Sequence, residues 1–323
     1  MELVNCNLCK SDKNKFLYSK SDALFFPAEF FNVVKCEKCG LGFVNPRPTI
    51  KQIGKYYPES FFDNFKLNEK ADQLRYEAQK IYIDKYVNAK KSKRLLDIGS
   101  GNGEFIQYMN NCGWYAEGVE PFYKPKNNDQ LKIYKHEFTS MPINNLSFNV
   151  LTAWNVLEHT HDPMAYFIKA NQLLVKKGIF IFNIPNFDSL ASQKLFAEDI
   201  PRHLYFFTKS NIEKYLKKTG FKLEKFDSKN TIFVHNPNRW LIYFLHKILR
   251  KPFLWPIRSS FKEFLIDNNL SDNLTSKILY LFKHPIRFID SLLAPAIGKI
   301  ERYFGKHFTV IYIARKIRKI KEN

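Results

Sequence analysis

Residues 94–104 read Arg-Leu-Leu-Asp-Ile-Gly-Ser-Gly-Asn-Gly-Glu. The apolar run Leu95, Leu96 and Ile98 predicts a short buried parallel strand, which breaks into glycines at positions 99, 101 and 103. A helical pattern then starts with Phe105, Ile106 and Met109, so the stretch reads as strand, tight turn, helix. Glycines let such a turn bend sharply and approach a ligand, and the helix N-terminus offers free N–H groups. A dinucleotide fingerprint would place its third glycine at position 104, which is Glu104 here. Asp97, just before the turn, is poorly placed for a pyrophosphate and suits a ligand with a positive group. The next predicted strand, Tyr115–Val119, ends in Glu120, where an acid can bind both hydroxyls of a ribose.

The ordered set Asp97-x-Gly99-x-Gly101-x-Gly103 followed by Glu120 resembles motif I and the acidic loop of class I S-adenosylmethionine-dependent methyltransferases. The alternative is a generic strand-to-helix turn that binds nothing. The resemblance implies an α/β fold, with a seven-stranded, mostly parallel sheet and helices on both faces in a Rossmann-like arrangement. It implies S-adenosylmethionine as cofactor, held by Asp97, Gly99, Gly101, Gly103 and Glu120.

The 323 residues suggest about two domains, and 45% apolar content allows a sizeable core. A net charge of +20 points to an anionic partner (nucleic acid, membrane or phosphorylated substrate) or to a solvated basic surface. Met1–Lys20 is polar, unlike a signal peptide, and no apolar run approaches the roughly 20 residues that span a bilayer. The expectation is a cytoplasmic protein, peripheral at the inner face of the membrane if it binds lipid.

Cys6-Asn-Leu-Cys9 and Cys36-Glu-Lys-Cys39 are two Cys-x-x-Cys knuckles with 26 residues between them. Four thiolates at this spacing can close a tetrahedral structural zinc site, leaving no open position for catalysis. A redox pair or packed thiols are the alternatives. The intervening segment carries Phe25, Phe26, Phe30 and Phe31 and is too small to fold without a staple. Gly40–Pro48 resembles the exit of the N-terminal zinc-binding module in a methyltransferase subgroup that includes deoxysugar C-methyltransferases. The expected domains are a zinc module at 1–48, a helical cap at 49–89 and the methyltransferase domain at 90–323. Tyr56 and Tyr57 in the cap are candidates to lie over the cofactor, or ordinary core aromatics.

In the family, the loop after the third strand contacts adenine, which nominates Glu137 and Phe138. Phe148–Pro163 reads as a buried strand running into a polar loop and a helix that Pro163 could start. It resembles motif IV, with its Leu-Glu-His turn. Asn155 lies at the carboxyl end of that strand, where α/β sheets bind ligands. His159 could be a base, or could join Glu158 in holding loop and helix together. Asp188–Ile200 reads as a lid. His203 matches the proposed base of a Tyr-x-Glu-His signature in the sugar C-methyltransferases, but Ile200 and Arg202 replace its tyrosine and glutamate. A lone histidine fits deprotonation of a hydroxyl better than carbanion chemistry. Alternatively, His203 merely orders the lid. Thr208 is the expected N-cap of a helix over 210–218.

Gly220–Phe226 and Phe308–Lys316 read as paired final strands separated by a helical insertion at 235–307, rich in bulky apolar and basic residues. From 235 to the end there are 17 Lys+Arg and 6 Asp+Glu. Basic amphipathic helices with Trp and Phe suit an anionic membrane interface, whereas a cap or dimer surface is the plainer alternative. The expected function is methyl transfer to a small-molecule, sugar or lipid-linked glycan acceptor, with His203 as base. RNA methylation, or a non-enzymatic membrane protein with this fold, are the rivals.

Overall fold

The computed structural model describes residues 1–22, 25–58, 69–87, 93–124, 130–142, 148–194, 199–230 and 273–320, with isolated positions 232, 240, 241, 244, 248 and 271. Most of the insertion expected at 235–307, including the Trp240–Trp255 stretch, lies outside these residues.

The main sheet has seven strands. In chain order they are β4 (Arg94–Ile98), β5 (Tyr115–Val119), β6 (Ile133–Tyr134), β7 (Phe148–Trp154), β8 (Leu174–Pro185), β10 (Phe221–Asp227) and β11 (Thr309–Lys316). Their spatial order is β10-β11-β8-β7-β4-β5-β6. The pairs among β4 to β8 are parallel, and β11 runs antiparallel to both its neighbours. The chain lays β5 and β6 on one side of β4, then returns to place β7 on the other. That reversal opens a crevice at the carboxyl ends of β4 and β7, where sheets of this kind bind ligands.

Alternation along the strands divides the core. Leu95, Val150, Ile179 and Ile181 face a cluster with α1 (Glu69–Tyr86) and α2 (Glu104–Asn111). Leu96, Leu151, Phe180 and Phe182 face the opposite side, with α3 (Pro163–Leu173) and α5 (Lys209–Lys218). Each fully buried Phe or Leu contributes about 1.5–3 kcal/mol. Local signals start the helices as expected: Asp162 caps α3 with Pro163 first in the helix, and Thr208 forms a capping box with Asn211.

A second sheet joins β1 (Asn14–Asp22), β2 (Phe26–Cys36), β3 (Gly42–Val44) and β9 (Tyr205–Phe206). The N-terminal strands thus share a sheet with a strand from 160 residues further on. Asn7, between the first two cysteines, locks this docking. Its amide donates to Asp162 Oδ1 (2.8 Å), and its carbonyl oxygen accepts from Met164 N (3.0 Å) and Tyr215 Oη (2.9 Å).

The expected lid is packed down over its described part. A short helix, α4 (Leu190–Lys194), precedes buried Ile200, and Ala191 packs with Trp240 and Phe308. Two further helices, α6 (Leu274–Lys283) and α7 (Pro285–Tyr303), precede β11. No helix among the described residues is long and apolar enough to cross a membrane.

Candidate functional site

The loop after β4 carries Gly99, Gly101 and Gly103 at φ +70°, +56° and +89°, conformations open to glycine and costly to other residues. A Cβ on Gly99 would meet Val156 at 2.6 Å, and one on Gly103 would meet Leu131 and Ile133 at 2.7 Å. At Gly101 a Cβ would meet nothing within 4 Å. The outer glycines therefore let the loop pack, while the middle one presents bare backbone to open space. Gly103 is the N-cap of α2 and has no side chain to occupy its free N–H groups.

Asp97 and Glu120 flank this loop differently. Asp97 is buried, and Oδ1 accepts from Thr152 Oγ1 (2.6 Å). Burial pushes its pKa up to about 7 against the Thr152 bond, and the charge of Glu120 adds to the rise. Glu120 reaches back over the loop and accepts from Gly101 N (3.3 Å) and Phe122 N (3.1 Å). Burial raises its pKa, and the two N–H groups oppose the rise.

Glu137 and Phe138 turn inward. The Glu137 carboxylate accepts from Thr139 N (2.6 Å) and from the Tyr166 hydroxyl. The Phe138 ring is buried in the core, 5.2 Å from that of Tyr166. Their side chains therefore serve the turn and the core, with no ring face open for stacking on adenine. Asn155 is exposed at the carboxyl end of β7, at φ +55°. Its N–H donates to Asn183 Oδ1 (2.9 Å), and Asn183 Nδ2 donates to its Oδ1 (2.6 Å).

The turn after Asn155 and the chain before β9 bring a polar cluster together. His159 and His203, 44 residues apart, stand edge to face with ring centroids 4.5 Å apart. Glu158 is 1% exposed and His203 6%. Glu158, His159 and His203 each offer a ligand atom, all within 4.8 Å of one another. The backbone holds the two strands of chain together, with Leu204 N donating to Glu158 O (2.8 Å). Tyr57 Oη lies 3.1 Å from His159 Nδ1, whereas Tyr56 turns away to Glu29, Phe26 and Phe31. Burial pulls the His203 imidazole down to about 3 and His159 to about 4, and the charge of His159 depresses His203 further. Burial pushes Glu158 up to about 8.

Arg202, 1% exposed, takes the place of the signature's glutamate. It forms an ion pair with buried Asp22 at the end of β1, donates to Asp199 Oδ1 (3.0 Å) and to Tyr56 O (3.1 Å), and lies over the Phe25 ring. Sequence reasoning missed Asp22 and Asp199, and named Arg202 only as a departure. The local signal was an arginine beside a histidine in an otherwise apolar loop.

Cys6, Cys9, Cys36 and Cys39 converge, with Sγ–Sγ separations of 3.4 Å for Cys6–Cys39 and for Cys9–Cys36. A tetrahedral ion with Zn–S near 2.3 Å needs sulfurs about 3.8 Å apart, so the donor set fits with a small expansion. Burial would raise the Cys36 thiol, but the backbone N–H of Cys39, the Cys9 thiol and the backbone N–H of Lys38 together outweigh it and draw the thiol down to about 7.

Residues 71–225, just under half of the chain, match the family model described as a methyltransferase domain. A ubiquinone biosynthesis O-methyltransferase of Acinetobacter baylyi is 29% identical over 112 residues, covering 31% of this chain and 47% of the relative. An uncharacterised protein of Methanocaldococcus jannaschii is 29% identical over 133 residues, covering 37% and 52%. The chain thus spans about half the length of the curated relatives it matches. Among solved structures, an S-adenosylmethionine-dependent methyltransferase from Archaeoglobus fulgidus aligns at TM-score 0.44 and 16% identity, over 76% of this chain and 94% of that one.

Proposed function

We propose that this chain transfers a methyl group from S-adenosylmethionine to an oxygen of a small-molecule acceptor. The observation that carries the reading is the bare backbone of Gly101 beneath the Glu120 carboxylate, at the crevice where the strand order reverses. The residues fit the cofactor: Glu120 would take the ribose hydroxyls, the N–H groups at the start of α2 and the acid at Asp97 would serve its polar, cationic end, and Asn155 lines the crevice. S-adenosylmethionine supplies an activated methyl on a sulfonium when bound. The chain's task is to hold an acceptor oxygen in line with it.

The Glu158–His159–His203 cluster sits next to the cofactor crevice, because Val156 packs on Gly99 and the Leu157–His159 turn follows directly. It is the group of side chains proposed to receive the acceptor. His203, expected as base, is neutral at working pH, but burial makes it a weak proton acceptor, far from the near-neutral pKa that suits a general base. The matched O-methyltransferase relatives support oxygen as the acceptor atom. A sugar or lipid-linked glycan hydroxyl is the acceptor class we favour, from the zinc-bearing resemblance and the basic C-terminal part. Zinc at the four cysteines is proposed as structural, from the closed donor set.

A second reading concerns location. α6 and α7 leave Ile278, Phe282, Leu292 and Ile300 exposed beside Lys277 and Lys299, which supports peripheral binding to an anionic membrane.

Titration of the protein with S-adenosylhomocysteine tests the function. About one equivalent per chain is expected, with Glu120→Ala weakening it by about 10–100-fold, as loss of hydrogen bonds to a charged group worth about 1.5–3 kcal/mol implies. No binding by the wild type, or undiminished binding by the variant, would sink the reading.

A further inference from the structure

Glu158 presents an anomaly. Both carboxylate oxygens are buried and, among the described residues, accept no hydrogen bond from any other residue. A buried acceptor left unmade costs about 1–3 kcal/mol, more for a charged one, so such groups persist where something else satisfies them. What faces it is two imidazoles, His159 and His203.

The His159 ring is oriented for a ligand. Its Nδ1 lies 3.1 Å from the Arg202 carbonyl oxygen. A carbonyl only accepts, and the Tyr57 hydroxyl at the same 3.1 Å can accept as well, so a proton on Nδ1 serves both neighbours and leaves Nε2 its lone pair. A backbone carbonyl fixing one ring nitrogen while the other binds is the usual support of a metal-bound histidine. Asp199 Oδ2 stands 3.8 Å from His203 Nε2, beyond a direct hydrogen bond, as a second carboxylate behind the ring.

We infer that Glu158, His159 and His203 form a binding site for a divalent metal ion, separate from the four-cysteine site. Two imidazoles and one carboxylate suit a divalent ion such as Fe²⁺, Zn²⁺ or the harder Mn²⁺ and leave coordination positions open. An ion about 2.1 Å from each donor needs donor atoms roughly 3.0–3.5 Å apart. The cluster, now within 4.8 Å, closes by about 1–2 Å of side-chain rotation. His159 is only half-buried, which gives the ion access. The ion's task, to hold an acceptor oxygen in an open position and make its hydroxyl more acidic, rests on the methyl-transfer reading; the binding itself does not.

Mn²⁺ is the probe, because it prefers nitrogen and oxygen donors and leaves a zinc-loaded thiolate site alone. The full chain is titrated with Mn²⁺ without cofactor or acceptor and followed by electron paramagnetic resonance. One bound Mn²⁺ per chain is expected, with pulsed spectra showing coupling to two imidazole nitrogens. Glu158→Gln and His203→Asn should each weaken binding by at least about 100-fold, beyond the roughly tenfold to hundredfold cost of losing an outer-shell contact. No bound Mn²⁺, bound Mn²⁺ without nitrogen coupling, or equal affinity in folded variants would overturn the inference. The nitrogen coupling needs no variant, so a substitution that fails to fold leaves the test intact. S-adenosylhomocysteine binding measured without divalent ions keeps failure of this inference distinct from failure of the methyl-transfer reading.

Discussion

Asp22→Asn is a small change with a large expected cost. The substitution keeps an oxygen for the Phe25 N–H (3.1 Å) but removes the charge that faces Arg202. Both side chains are out of solvent, at 0% and 1% exposure, so water does not replace the lost partner. Removing one member of a buried pair typically costs about 3–5 kcal/mol. Arg202 keeps Asp199 and the Tyr56 carbonyl, which sets the expected loss at the low end, about 3 kcal/mol. Arg202→Met strands two carboxylates instead and should cost at least as much. Urea unfolding of wild type, both single variants and the double variant forms a thermodynamic cycle. The double variant should be more stable than the sum of the singles predicts, by about 2 kcal/mol or more, because the second change removes the charge that the first left unpaired. The loss should also persist at high salt, since a buried pair is little screened. Additivity within about 0.5 kcal/mol would refute the reasoning and show that the two groups do not depend on each other.

Asp97 gives a pH dependence. Its carboxyl is raised from 3.8 to about 7, so between those values the folded chain holds a proton that the unfolded chain has released, and stability without cofactor falls as pH rises through that window. Asp97→Asn should remove that slope, about 1.4 kcal/mol per pH unit, and weaken cofactor binding; a variant with the wild-type slope would contradict the assignment. Elemental analysis of freshly purified protein should find about one zinc per chain, with Cys36→Ser metal-poor and less stable; a folded, metal-free wild type would end the zinc reading. Vesicle flotation at about 0.15 M salt should bring the chain up with anionic but not neutral lipid, and less so with Phe282→Asp; no flotation would leave α6 and α7 to some other contact.

The cofactor side of the site was legible because its signals are local. Glycines at alternate positions, an acid before them and an acid ending the next strand lie within 24 residues, and each needs only its own strand and turn to be positioned. Thr208 and Pro163 were readable as helix starts for the same reason. The acceptor side was not. His159 and His203 could be named separately, but their contact depends on Leu204 pairing with the turn after β7. Phe138 looked available on a loop, yet α3 brings Tyr166 against it and draws the ring into the core. Arg202 reads only as a departure from the signature until β1 delivers Asp22, 180 positions earlier. Each of these depends on which distant element arrives, and that information is spread over the whole chain.

The pairing of β3 with β9 has a consequence in time as well as in space. Roughly 160 residues separate Phe43 from Tyr205, its partner across the sheet. At about 5–20 residues per second, a ribosome takes about 10–30 s to cover that distance. During that interval the first three strands are already outside with one flank unpaired, a template for another nascent chain. The two cysteine knuckles bracket β1 and β2, the hairpin on which β3 then pairs, and are complete by residue 39. A metal clasp closed there would hold the hairpin in register until its last strand is synthesised. Metal supply at the moment of synthesis, more than afterwards, would then govern how much of the chain is recovered folded.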